Sequence, residues 1–269
     1  MYRLLALDLD GTLLRRDHSV DERDVAAIAE LQRAGVTVTI VTGRLHSGSV
    51  AAARACGIDG AIACVEGSHL VELASNTTLV HHAIEPETSA LLRQTLGANG
   101  LAQFVFDAQG IHHDHAGAPY AHYVSTWSPN LRVVEEDIAW QTAPLAAVAI
   151  GDEAAVAAAA ETLRSHAHRL FSVSFQVWTI AGKYALLARA AGPSKGTALR
   201  ELCERIGCSL EEAVAVGDWV NDVPMFEVAG RSFVMGGAPE AISSKATDRL
   251  EAASGGGGGI AEAIRRAWG

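Results

Sequence analysis

Two aspartates one residue apart, Asp8 and Asp10, close the apolar run "YRLLAL" and are followed at once by Gly11 and Thr12. On a strand, residues two apart point to the same side. Both carboxylates would then face whatever lies beyond the strand end, while Leu9 turns to the core. Carboxylates this close repel unless a positive charge sits between them. A divalent cation with oxygen ligands, Mg²⁺ above all, is the simplest such charge. Gly11 allows a sharp turn, and Thr12 brings a hydroxyl and an N–H beside the site.

A second acidic group ends another apolar run, in "AVAVGDWVND". Asp218 is expected as a direct ligand of the same metal, and Asp222 as a carboxylate that fixes its neighbours. Two segments suit an anion. "VTGR" at 41–44 offers the Thr42 hydroxyl and free backbone N–H groups around Gly43, where a helix begins, with Arg44 next. "PSKGTAL" places Lys195 in the first turn of a helix, where its charge opposes the helix dipole, so a functional role is favoured. Together these parts suit phosphoryl transfer. Asp8 would attack phosphorus, Mg²⁺ would offset the crowded negative charge, Thr42 and Lys195 would hold the phosphoryl oxygens, and Asp10 would move the proton.

These residues need a scaffold. "YRLLALDL", "VTVTIVTG" and "GAIACVEG" read as buried strands. Between them, "SVDERDVAAIAELQRAG" reads as a helix with Ser19 and Glu22 at capping-box spacing, and "HSGSVAAARACG" as a second helix. Strand–helix alternation implies a parallel sheet, which binds ligands beyond its carboxyl ends. Asp8, Asp10, Thr42 and Gly43 fall there. The texture changes after about residue 82. "PETSALLRQTLGANG" and "DEAAVAAAAETLRSHA" read as helices. "LAQFVFD" and "GIHHDH" read as a strand pair, "LRVVEED" and "PLAAVAIG" as strands, and "RLFSVSFQVWTIAG" as two more. The alternation resumes near residue 190 with "SKGTALRELCERIG", "AVAVGD", "RSFVMGG" and a closing helix "IAEAIRRAWG". The expected fold class is α/β, with a parallel-sheet core over 1–82 and 190–269 and an inserted α+β domain over 83–189. The run Gly255–Gly259 is expected to be a flexible, inert loop.

With 269 residues, 49% of them hydrophobic and 19% charged, the chain can bury a sizeable core and is not of disordered type. Its net charge of −10 and the lack of a basic stripe argue against nucleic acid as a partner. No apolar run reaches the length of a membrane span, and the N-terminal stretch is too short for a signal peptide, so a cytoplasmic location and no membrane partner are expected. Cys56, Cys64, Cys203 and Cys208 form no CxxC pair and read as buried thiols. In "HHDH" at 112–115, alternation would put His113 and His115 on one face and His112 and Asp114 on the other, which argues against a closed zinc site. Trp127, Trp140 and Trp178 read as packing residues.

Four segments in order, "DLDGT" at 8–12, "VTGR" at 41–44, "SKGTAL" at 194–199 and "GDWVND" at 217–222, resemble the haloacid dehalogenase (HAD) superfamily, in its Cof-like phosphatase branch. The resemblance spans most of the chain. It implies a Rossmann-like core with an inserted cap domain that selects the substrate. It makes Asp8 the nucleophile and Asp10 the general acid/base. Thr42, Gly43 and Lys195 would bind phosphate, with Asn221 near the phosphate or substrate. Mg²⁺ would be held by Asp8, Asp218 and the backbone carbonyl of Asp10, with Asp222 in support. Two positions depart from the branch: Glu66 stands where Asn is usual, and Trp219 where a small or polar residue is usual. Glu66 and Arg44 are candidate substrate-facing residues. The expected activity is hydrolysis of a small phosphorylated metabolite, a sugar phosphate or a cofactor phosphate such as flavin mononucleotide or pyridoxal phosphate, through an aspartyl phosphate. A phosphomutase of the same fold and a non-catalytic binder of phosphometabolites are the alternatives. A monomer or weak homodimer is expected.

Overall fold

The computed structural model describes the backbone of all 269 residues and the side chains of all but 136 and 137. The chain divides into two compact units, one of residues 1–43, 49–80 and 193–269, the other of 44–48 and 81–192. The short segment 44–48 thus groups with the second unit, which the sequence pattern did not reveal.

The strands follow in chain order. The first five are β1 (Leu4–Leu7), β2 (Thr37–Ile40), β3 (Ala61–Cys64), β4 (His69–Glu72) and β5 (Thr77–His81). Next come β6 (Ala102–Phe106), β7 (Ile111–His113), β8 (Leu131–Val133), β9 (Ala146–Asp152), β10 (Leu170–Gln176) and β11 (Lys183–Ala190). The last three are β12 (Ala213–Gly217), β13 (Arg231–Gly236) and β14 (Asp248–Ala253).

In the first unit a parallel sheet runs β14-β13-β12-β1-β2. All four residues of β1 are fully buried, as a strand with neighbours on both edges and layers on both faces must be. The order reverses between β1 and β12, because the chain leaves β1 for β2 on one side and β12 for β13 on the other. A crevice opens beyond the carboxyl ends at such a reversal. Asp8 follows β1 and Asp218 follows β12, so the reversal brings them together. The helix Lys195–Ile206 packs Leu199 and Leu202 into one core with Leu4, Ala6, Ala215 and Val234.

Several local expectations need correction. The helix Glu22–Arg33 is capped by Asp21, which accepts the Arg23 N–H, while Ser19 turns away to Asp17. The third strand, β3, touches the parallel sheet through a single bridge, Val41 to Ala63, and pairs antiparallel with β4 in a hairpin absent from the sequence reading. β14 was also unforeseen.

The second unit is built on a six-stranded sheet, β10-β11-β9-β6-β7-β8, antiparallel except for the β7–β8 pair. Helices Pro86–Ala98 and Glu153–Arg164 supply Leu92, Leu96, Val156 and Leu163 to its core. "VWTIAG" is not a strand but the connection between β10 and β11. Trp140 is in the core with its indole N–H donated to Gln103 Oε1, Trp127 packs edge-on to Phe106 and Tyr123, and Trp178 is exposed. Among the described residues no helix is long and apolar enough to cross a membrane.

Candidate active site

The site of the first unit begins where β1 ends. The Asp8 N–H continues the ladder to Val216 O, and then Gly11, at φ 83°, turns the chain back. Only glycine fits here. A Cβ at residue 11 would lie 2.2 Å from Asp218 Oδ2. β1 itself stops at Leu7; beyond it Leu9 is fully buried, as expected, Asp8 is buried and Asp10 is exposed.

The carboxylates that converge are Asp8, Asp218 and Asp222, each offering an oxygen within 4.8 Å of the others. Asp10 stands outside this group, near enough to act on the charge of Asp218. Lys195 is fully buried beneath the cluster, and its Nζ donates to Asp8 Oδ1 at 2.5 Å and Asp222 Oδ1 at 2.6 Å. Helix Lys195–Ile206 aims it there, because Ser194 and Thr197 form a reciprocal capping box that pins the first turn. Asp222 fills its remaining oxygen with the backbone N–H groups of Asp218 (2.8 Å) and Trp219 (3.0 Å). Its buried charge is therefore bonded on every side, the condition under which a charge can be buried.

The balance of charge is negative. Burial works against the Lys195 ammonium, but Asp222 and Asp8 outweigh it and raise its hold on the proton. Burial pushes the Asp8 carboxyl well above the usual range, Lys195 opposes this, and Asp222 and Asp218 reinforce it. Burial likewise pushes Asp218 up to about 6, against the hydrogen bond from Ser254. One lysine serves three carboxylates, so the cluster is short of positive charge. Hard oxygen ligands at this spacing fit a divalent cation of the Mg²⁺ type.

Around the cluster lie the other expected residues. Thr42 is buried after β2, but its backbone N–H is not free, since it donates to Ala63 O at 2.9 Å. Gly43 sits against Glu66, whose Oε1 would lie 2.5 Å from a Cβ at that position. Glu66 Oε1 also accepts from Asn221 Nδ2 at 2.9 Å, and the Glu66 N–H donates to Thr42 O. Glu66 thus ties the loops after β2, β3 and β12 together. It does so at a cost in backbone strain: Val65 (φ 49°) and Glu66 (φ 55°) are both left-handed, which is of order 1–3 kcal/mol each. Arg44 groups with the second unit and donates to Gly48 O. Trp219 is exposed beside Asp218.

The sequence reading passed over one residue. Ser254, after β14, donates its hydroxyl to Asp218 Oδ2 at 2.5 Å. A serine before a glycine run carries no local sign of this. In the second unit, "HHDH" divides otherwise than alternation suggested: β7 ends at His113, and His115 lies exposed in the next turn. His112 pairs with Asp107 at 2.9 Å and His113 bonds Asp114 O, which accounts for both as structural. The four cysteines are free thiols, and burial raises Cys64 to about 12.

Residues 5–264 match the family described as haloacid dehalogenase-like hydrolase. The chain is 28% identical over 253 residues to a pyridoxal phosphate phosphatase of Escherichia coli, YbhA, covering 91% of each. It is 27% identical over 241 residues to an HMP-PP phosphatase of Yersinia pseudotuberculosis, covering 88% of this chain and 85% of that one. A haloacid dehalogenase-like hydrolase from Bacteroides thetaiotaomicron shares the fold, with a TM-score of 0.86, 24% identity and 99% of each chain covered.

Proposed function

Because the chain belongs to the haloacid dehalogenase-like hydrolases, we propose that it is a Mg²⁺-dependent phosphatase of a small phosphorylated metabolite, working through an aspartyl phosphate on Asp8. The observation that carries this reading is the buried Lys195, bridging Asp8 and Asp222 beside Asp218. It supplies a nucleophilic carboxylate, a fixed cation and an oxygen-ligand set in one place.

An Asp8 oxygen attacks phosphorus, and the P–O bond to the substrate breaks. Asp10, exposed and outside the cluster, gives the leaving oxygen its proton. Asp10 then takes a proton from water as that water attacks phosphorus, which frees inorganic phosphate and restores Asp8. Lys195 stays charged throughout and steadies the negative charge that gathers between Asp8 and the phosphoryl group. Asp8 and Asp218, with the Asp10 carbonyl, would hold Mg²⁺, which when bound would relieve the repulsion between nucleophile and phosphate. Thr42, Gly43 and Asn221 bind the phosphoryl oxygens, and Asp222 fixes Lys195 and the loop that carries Asp218. Substrate choice is assigned to the inserted unit. The names of the curated relatives put pyridoxal phosphate first among the substrates to try, followed by HMP-PP.

The test is phosphate release from a panel of phosphosugars, nucleotides and cofactor phosphates, with Mg²⁺, with chelator, and with Asp8→Asn as blank. Release that needs Mg²⁺ and disappears in the variant supports the reading. Transfer of phosphate to a second hydroxyl without release would make it a mutase. Binding without turnover in the folded wild-type protein would make it a sensor.

A further inference from the structure

We infer that Ser254 is a positioning residue for Asp218, and that the glycine turn behind it is a fixed brace that joins three loops of the active site. The inference rests on the proposed reading of Asp218 as a metal ligand. β14 delivers Ser254 to the carboxyl end of the sheet, and the Ser254 N–H donates to Gly236 O, where β13 ends. The Ser254 hydroxyl donates to Asp218 Oδ2 at 2.5 Å. The next residue, Gly255, donates its N–H to Gly11 O at 2.7 Å. Two adjacent residues thus hold the loop of Asp218 and the loop of Asp8 and Asp10. The fit is tight, since a Cβ at Gly11 would meet Ser254 Oγ at 2.5 Å as well as Asp218.

The glycines that follow are required by shape, contrary to the expectation of an inert, flexible loop. Gly255, Gly257 and Gly258 have φ of 67°, 79° and 81°, a conformation that other residues adopt only with strain. Side chains would also collide. A Cβ at Gly257 would meet Asp21 Oδ2 at 2.5 Å, and one at Gly259 would meet Met235 Cε at 2.5 Å. The far end is anchored by Asp24, a fully buried residue whose carboxylate accepts the N–H groups of Gly258 and Ala261, each at 2.8 Å. Asp24 thereby serves as the cap that the helix Gly259–Trp268 lacks in its own sequence. The hydroxyl held by this turn fixes the rotation of the Asp218 carboxylate, and such partners of a metal ligand set its affinity.

Calorimetric titration of Mg²⁺ into the full chain tests this without recourse to turnover. Ser254→Ala should weaken Mg²⁺ binding by about tenfold, with an unchanged circular dichroism spectrum. Ser254→Thr, which keeps the hydroxyl, should stay within about threefold of wild type. Wild-type affinity in Ser254→Ala would overturn the inference and leave the metal reading intact. An equal loss in Ser254→Thr would assign the effect to packing and also overturn it. No Mg²⁺ binding by the wild-type protein would overturn both. Should Ser254→Ala not fold, Ser254→Cys, close in size but a weaker donor, gives the same readout: weakened binding supports the inference, and wild-type binding overturns it.

Discussion

Asp222 Oδ1 accepts from Lys195 Nζ at 2.6 Å while Oδ2 of the same carboxylate accepts the N–H of Asp218 at 2.8 Å. One fully buried side chain thus sets both the position of the site's cation and the start of the loop that presents Asp218. An asparagine here keeps the shape but turns an amide N–H₂ toward either the ammonium or the backbone donors. Asp222→Asn should therefore lower kcat about 10–100-fold, the usual cost of disturbing a group that supports a metal ligand. It should also destabilise the protein by about 3 kcal/mol, because Lys195 is left with one carboxylate in a buried place. Steady-state kinetics beside urea unfolding checks both; normal activity with normal stability would deny Asp222 this role.

Asp8→Asn should behave differently. It removes one partner of Lys195, but Asp222 remains, and the crowding of Asp8 by Asp218 and Asp222 is relieved. Turnover should vanish while stability stays within about 1 kcal/mol of wild type. Phosphate release and the urea midpoint read the two effects separately.

Glu66 offers a test of substrate choice. It places a carboxylate against Gly43 and Asn221, in a site already rich in them. Glu66→Gln keeps the acceptor for Asn221 and removes only the charge. The kcat/KM for a substrate with a second anionic group should rise about three- to tenfold relative to one with a neutral body, the size expected for a charge several ångströms away under partial screening. Fructose 1,6-bisphosphate against fructose 6-phosphate is a suitable pair. An unchanged ratio would remove Glu66 from specificity.

What was legible in the sequence, and what was not, divides by range. "DLDGT" and "GDWVND" declared themselves because apolar runs ending in aspartates mark strand ends, and a parallel sheet collects its strand ends on one edge. Lys195 stood out because a lysine opposes the dipole at a helix start. The bonds made on folding left no such trace. Ser254 reaches a residue 36 positions away, and its sequence neighbours are glycines whose role is steric. The β10–β11 turn misled for a related reason. Val177 and Ile180 belong to strand-forming types, but the pairing of Gln176 with Tyr184 puts the reversal between them, closed by Val177 N–H to Lys183 O. The helix cap at Asp21 prevailed over Ser19 because Arg15 and Arg23 both fasten it.

That fastening yields a prediction in pH. The hydrogen bonds from Arg23 and then Arg15 hold the Asp21 carboxyl well below its usual range, even though burial pushes the other way. A carboxyl whose folded-state value is depressed binds its proton more readily in the unfolded chain. Its contribution to stability is then complete above the unfolded value, about 3.9, and is lost as pH falls from there through the lower folded value. Asp21→Asn retains an acceptor for the Arg23 N–H but removes the charge that both guanidiniums share. At pH 7 the variant should be less stable by about 1–2 kcal/mol, a figure trimmed because Arg23 is largely exposed. The gap between the two proteins should stay constant from pH 7 to about pH 5 and close steadily below pH 4. Urea unfolding of both proteins across that range decides the matter. A gap that stayed constant into the acid range would mean that the cap works through its geometry alone, with no share from the two ion pairs.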